Sequence, residues 1–226
     1  MAKSRLALGI VLTVLVGCLV WMEPIHQHPM LISLLFALLV MIPFILRFEW
    51  RLLDSRELVL LALMTAIAAV SRVPFAGLPS VQPTTFVIIV TAVVFGAESG
   101  FVVGAGAALV SNLFLGQGPW TPWQMLAWGL VGLSAGVFRN TPLLQWNGMR
   151  LLFGFIWGFF FGWIMNVWVM AGMENWSLSS FIAVYAASLY FDLAHAMANV
   201  FFLAMFAPAW IRILRRFQQK YGLLDR

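Results

Sequence analysis

Charge is scarce in this sequence: 9% of its 226 residues are Asp, Glu, Lys or Arg, where soluble domains carry about a quarter. That shortage excludes an ordinary soluble domain. Cysteine is nearly absent as well, and the single Cys18 excludes an internal disulfide. Cys18 lies in an apolar run, which suits packing rather than reactivity. The sequence has no Gly-x-x-x-x-Gly-Lys phosphate loop, no His-Glu-x-x-His pair and no Gly-x-Ser-x-Gly elbow. ATP hydrolysis by a phosphate loop is therefore excluded, other enzymatic readings find little support, and the chain is not expected to be an enzyme. Strand-like alternation is missing, as are a ring of like charges and a polar pore stripe, which argues against a β-barrel and against a channel. No linker is long enough to separate a soluble second domain.

What is present is apolar. The chain is 63% hydrophobic with mean hydropathy +0.97, enough for seven or eight helices of about 20 residues. An all-α integral membrane protein follows. Two apolar segments, Leu6 to Met22 and Met30 to Leu46, are read as retained helices. The linker between them carries His26 and His28, too few ligands for a metal site, so no metal is expected. A polar stretch, Arg47 to Glu57, precedes two short spans, Leu58 to Val70 and Thr84 to Phe95. The second spans roughly 18 Å against a hydrocarbon core of about 30 Å. The loop between them is therefore expected to dip below the membrane surface. Four more spans follow: Phe101 to Leu115, Met125 to Phe138, Leu151 to Ala171 and Ser180 to Trp210. A polar turn is expected over Arg139 to Arg150. Gly154, Gly158 and Gly162 form a stripe that permits close helix approach. Residues 1–50 thus read as two additional helices, and 51–226 as a six-helix core with a basic tail.

Orientation follows from the cations. With the amino terminus cytoplasmic and eight crossings, twelve basic residues fall inside and only Arg72 outside, a strong positive-inside bias. Both termini are then cytoplasmic. The loops Arg72 to Pro83, Gly116 to Gln124 and Gly172 to Ser179 converge on the outer face. Two glycines, two prolines and two tryptophans in Gly116 to Gln124 suggest a rigid lid over a pocket, or alternatively an interfacial anchor. Asp192, His195 and Asn199 share one helical face. They suit either a polar ligand, a proton relay, or interhelical hydrogen bonds in which Asp192 and His195 satisfy each other. Asp192 is favoured for the site by its depth, and Asn199 for a structural role.

The runs Leu78-Pro79-Ser80-Val81-Gln82-Pro83-Thr84 and Val94-Phe95-Gly96-Ala97-Glu98-Ser99-Gly100-Phe101, then Ser111-Asn112 and the segment Gly116 through Trp120, Trp123 and Trp128 to Gly129, resemble the S components of energy-coupling factor (ECF) vitamin transporters. The resemblance covers about Leu58 to Trp210 and is strongest to the branch with cobalamin-specific members. It implies a six-helix protein of the bacterial inner membrane that captures a vitamin at the outer face. It further implies association with a transmembrane coupling protein and two cytoplasmic ATPases, so that ATP is used only by partner subunits and the loaded S component topples within the membrane. Ala62 and Ala66 match the family's Ala-x-x-x-Ala docking pattern; close packing inside the bundle is the other reading. The two extra amino-terminal helices depart from the family pattern.

The expected substrate-binding residues are Gln82, Gln117, Trp120, Trp123, Gln124, Trp128, Asn166, Asn175, Trp176 and Asp192. Aromatic faces with a few hydrogen-bonding groups suit a bulky, amphipathic nutrient. Cobalamin or a related corrinoid is the ligand named by resemblance, and the same inventory suits a flavin. No permanently bound cofactor and no nucleic-acid partner are expected. The alternatives are a proton-coupled secondary transporter and a membrane scaffold with aromatic outer loops.

Overall fold

The computed structural model describes residues 54–173 and 176–224, together with scattered positions between Leu31 and Ile42. Among the described residues there is no strand. From Asp54 onward seven α-helices follow one another among the described residues: α1 Ser55–Val70, α2 Thr84–Phe95, α3 Ala97–Leu115, α4 Thr121–Val137, the short α5 Pro142–Gln145, α6 Asn147–Ala171 and α7 Leu178–Tyr221, with a 3-10 turn at Val73–Phe75. Four described helical stretches, Ser55–Phe75, Ala97–Leu115, Asn147–Ala171 and Leu178–Tyr221, are long and apolar enough to cross a membrane. Large apolar side chains such as Val59, Leu113, Phe114 and Leu178 remain exposed, as expected of a surface solvated by lipid.

The organising element is α2. All twelve of its residues are buried, and it packs against α1, α3, α4 and α7. A helix of that length is roughly 18 Å long, so it ends within the protein rather than in water. Its two ends separate two chemically different regions. Around its amino terminus, Thr84 donates to the Ala68 carbonyl at 3.0 Å and Thr85 faces His195. Around its carboxyl terminus, Arg139 and Gln218 both donate to the Val94 carbonyl at 3.4 Å. At that same end the Leu224 N–H donates to Glu57 at 2.7 Å, closing the last turn of the chain onto the first turn of α1.

Several helix starts lie earlier than the hydropathy pattern alone suggests. α1 begins at Ser55, because Asp54 and Glu57 form a reciprocal capping box. α4 begins at Thr121, so the expected loop Gly116 to Gln124 is shortened: Pro122 occupies the first turn, where proline costs no hydrogen bond. The expected polar turn Arg139 to Arg150 contains the helix α5, and α6 begins at Asn147. α7 runs 44 residues through Pro208 to a left-handed cap at Gly222, beyond the expected end at Trp210. The segment Leu6 to Met22, and with it His26 and His28, lies outside the described residues. Described positions of the second amino-terminal segment are helical, and Ala37 and Met41 pack in a cluster with Phe101, Ala105, Trp123 and Leu126.

Close contacts between helices rest on absent side chains. A Cβ on Gly132 would overlap the backbone of Gly100, and one on Gly104 the carbonyl of Trp128, so α3 and α4 meet backbone to backbone. The stripe on α6 faces α7, with Gly158 against Ala196 and Gly162 against the Asp192 carboxylate. Gly148, by contrast, has open space around it. Gly132→Val should therefore destabilise the detergent-purified protein by about 1–3 kcal/mol or more, whereas Gly148→Ala should leave its thermal unfolding temperature unchanged or slightly raised.

Candidate functional site

A cavity of about 300 Å³ lies beside the amino terminus of α2. Its walls are the loop after α1 (Arg72, Ser80, Gln82), the start of α4 (Gln124, Trp128), the second half of α6 (Phe161, Gly162, Met165, Asn166) and α7 (Ser188, Phe191, Asp192, His195). Four chain segments distant in sequence thus supply one chamber.

Arg72 is its central feature. The side chain is 6% exposed, although the sequence places it in an outer loop. Its Nε donates to Gln82 Oε1 at 2.9 Å, and one terminal nitrogen donates to Ser111 Oγ and, at 3.0 Å, to Asn112 Oδ1. The guanidinium carbon stands 4.8 Å from the centroid of the Trp128 ring, within cation–π range. Among the described residues no carboxylate lies within ion-pairing distance of it. The cation is solvated by neutral oxygens and an aromatic face, and its remaining terminal nitrogen has no partner among the described residues.

This cation fixes the orientation of the amides around it. Because Arg72 can only donate, Gln82 and Asn112 must turn their oxygens towards it. Asn112 then offers its NH₂ to Thr121 at 3.1 Å and to Gln124 Oε1 at 2.7 Å. Gln82 and Gln124 are left with NH₂ groups that have no protein acceptor among the described residues. One wall of the chamber is consequently rich in donors.

The opposite wall is organised by a carboxylate. Asp192 is 3% exposed and accepts from Ser188 Oγ at 2.9 Å, while Ser188 receives Asn166 Nδ2 at 2.8 Å. The second carboxylate oxygen lies against Gly162. Asp192 has no cation within ion-pairing distance among the described residues, and the Asn166 carbonyl has no protein donor there. This wall presents acceptors.

Between the two walls lie rings. Trp128 and Phe161 have centroids 4.8 Å apart, and Phe161 meets His195 edge-on at 4.9 Å. Trp128 Nε1 donates to Thr85 Oγ1 at 3.1 Å, and Thr85 Oγ1 lies 2.9 Å from His195 Nε2. Since the indole can only donate, the Thr85 hydroxyl is free to donate onward to the imidazole. His195 and Asp192 therefore have separate partners and do not satisfy each other. Asn199, one turn deeper, donates to the Gly154 carbonyl at 3.0 Å and ties α7 to α6.

Of the residues expected from sequence, the chamber gathers Gln82, Gln124, Trp128, Asn166 and Asp192. Four others stand elsewhere. Gln117 is exposed and bonds to the Leu109 carbonyl at 2.8 Å and to Thr121 at 2.9 Å, stapling its own loop. Trp120 folds over Gly118, and Trp123 is 3% exposed in the cluster with Ala37 and Phe101, on a different face of α4. Trp176 is 62% exposed and borders a separate cleft with Phe181 and Tyr185. Asn175 lies outside the described residues. The segment expected as a lid is thus a helix start whose tryptophans point away from the chamber. Sequence reasoning missed Arg72, Thr85, Phe161 and Ser188. An available signal existed for Arg72, because a cation in a loop that dips below the membrane surface needs internal acceptors. Ala62 and Ala66 are exposed on α1, beside the equally exposed Val59 and Leu63, rather than packed inside the bundle.

An all-helical membrane bundle with a polar, ring-lined chamber at one end has the makeup of a membrane-embedded binding subunit. Residues 53–209, more than half of the chain, match the family described as ECF-type riboflavin transporter, S component. The chain belongs to this family, whose members are substrate-binding subunits of transporters and not enzymes. It is also similar to a UPF0397 protein of Vibrio atlanticus (strain LGP32), with 32% identity over 102 residues, 43% of this chain and 54% of the relative. A UPF0397 protein of Aliivibrio fischeri (strain MJ11) is 31% identical over 100 residues, 42% of this chain and 52% of the relative. The chain spans about half the length of these curated relatives. No solved structure matches it.

Removing the guanidinium should expose how much of the chamber depends on it. Arg72→Met leaves the oxygens of Gln82, Ser111 and Asn112 without their donor, each orphan costing about 1–3 kcal/mol. A large loss of thermal stability is expected. Arg72→Lys should recover only part of it, because an ammonium cannot reproduce the planar fork.

Proposed function

We propose that this protein captures a vitamin at the outer face of the bacterial inner membrane and hands it to an ATP-driven import machine. The observation that carries this reading is the chamber itself: a donor wall set by Arg72, an acceptor wall set by Asp192, and the faces of Trp128 and Phe161 between them. A flat heteroaromatic molecule with carbonyl-type acceptors on one edge and N–H or O–H donors on another complements all three. Arg72 and Asp192 line the chamber, and neither has an ion-pairing partner among the described residues, so a ligand that hydrogen-bonds to both gains more than apolar contact.

Size narrows the class. About 300 Å³ lies at the small end of ligand sites and suits a single fused ring system. A corrinoid is several times bulkier and would need the chamber walls to part. Riboflavin is therefore the first candidate, in keeping with the family's description, and cobalamin, the ligand expected by resemblance, becomes the second. No permanently bound cofactor is invoked. The multi-pass chain has both termini in the cytoplasm, and its cation-rich end, with Arg139, Arg150 and Arg215, faces inward by the positive-inside rule. A transmembrane coupling protein and two ATPases supply the energy. The exposed Ala62 and Ala66, together with Val59 and Leu63, form the face of α1 for the coupling protein, since small residues allow close helix approach.

The proton-coupled alternative draws no support from Asp192 and His195, which bond to Ser188 and Thr85 rather than to each other. Trp120 and Trp176, both outside the chamber, suit interfacial anchoring.

A calorimetric screen of the detergent-purified chain against riboflavin, cobalamin, cobinamide, biotin, folate and thiamine tests the reading. One heteroaromatic vitamin should bind tightly. Asp192→Asn should weaken it on the order of 10- to 100-fold, the worth of a charged hydrogen bond, whereas Trp123→Ala should weaken it far less. Absence of binding by demonstrably folded protein would sink the capture reading. Independently, Ala62→Leu combined with Ala66→Leu should abolish ATP-dependent uptake by the assembled transporter while leaving ligand affinity within about twofold; uptake by the isolated chain would favour a secondary transporter instead.

A further inference from the structure

The opposite end of the bundle holds a second cleft, of about 440 Å³, lined by Asn147, Arg150, Arg212, Arg215, Arg216 and Gln219. Residues 212, 215, 216 and 219 share one face of α7, and that face turns towards the start of α6. Arg150 is buried, with its Nε on the Leu144 carbonyl at 3.0 Å and a terminal nitrogen on the Gln145 carbonyl and Asn147 Oδ1 at 3.3 and 3.1 Å. Arg212, Arg215 and Arg216 are exposed, and none has a carboxylate within ion-pairing distance among the described residues. The first turn of α6 contains no acidic residue and no side-chain cap. Four guanidinium groups therefore surround one cleft with no anion among the described residues to offset their repulsion.

We propose that this cleft binds a phosphate anion, and that the phosphate belongs to the headgroup of an anionic membrane lipid. Arginine forks match phosphate oxygens in geometry as well as charge, and basic pockets between membrane helices on the cytoplasmic side are suited to such headgroups. Apolar neighbours favour the lipid over free phosphate: Ile213, Phe217 and Trp146 are 60%, 45% and 66% exposed, giving acyl chains a surface beside the charges. The site is independent of the vitamin chamber, lying at the other end of α7.

The test uses the full chain, delipidated in neutral detergent, with retention of phosphatidylglycerol and phosphatidylcholine compared by native mass spectrometry and by thermal unfolding. Phosphatidylglycerol should be retained several-fold over phosphatidylcholine. The triple substitution Arg212→Gln, Arg215→Gln, Arg216→Gln should abolish that preference, and Arg215→Gln alone, which carries the test if the triple variant misfolds, should reduce it. Lys220→Gln, on the same helix but outside the cleft, should leave it intact. Millimolar inorganic phosphate should compete, as a phosphate site requires, without matching the lipid's stabilisation. Equal retention of both lipids, an equal loss with Lys220→Gln, or full stabilisation by inorganic phosphate alone would overturn the lipid assignment. So would a triple variant that keeps its lipid preference while losing affinity for the coupling protein, because the cleft would then be a protein contact.

Discussion

A guanidinium held inside a membrane protein, with no carboxylate in ion-pairing range among the described residues, sets the terms for everything near it. Arg72 is costly to bury, and the cost is offset by Gln82, Ser111, Asn112 and the Trp128 ring. Those partners come from the loop after α1, from α3 and from α4, so one cation draws three segments together. The amide orientations of Gln82, Asn112 and Gln124 follow from it in sequence, like a row of tiles turned by the first. Asp192 plays the corresponding part across the chamber through Ser188 and Asn166. Two buried charges of opposite sign, each held by neutral groups, give the site its polarity.

The backbone makes room for that arrangement. Because α2 is only twelve residues long and wholly buried, its amino terminus stops short and leaves space above it. The glycine contacts between α3 and α4 and between α6 and α7 bring the walls close enough for side chains to reach across. Thr85, in the first turn of α2, links Trp128 of one wall to His195 of the other. Two lining residues, Trp128 and His195, are thus tied together by a hydrogen-bonded chain through buried Thr85.

Much of this architecture was legible in the sequence. The bounds of α2, the end of α3 at Leu115 and the glycine stripe on α6 follow from hydropathy and small-residue spacing. Helix starts were harder, since Asp54 and Glu57 look like loop residues until their capping is recognised, and Pro122 looks like a breaker although the first helical turn accepts it. Asp192 and Asn166 were visible as polar groups in apolar surroundings. Trp123 was misjudged because aromatic content says nothing about which side of a helix a ring takes, and here it packs with Phe101 and Ala37. Arg72 was hidden for a different reason. Its partners Ser111 and Asn112 lie 39 and 40 residues away, and only the tertiary structure brings them to it.

The two polar walls bear on how a ligand would leave. A molecule bonded both to the donors set by Arg72 and to the acceptors set by Asp192 would have to break contacts with separate chain segments at once. On the capture reading proposed above, entry would then proceed on the chamber's own chemistry. Release would be the slower step until the loop after α1 and α7 part. A protein built this way behaves as a ratchet pawl: its chemistry closes by itself, and work is spent only on opening it.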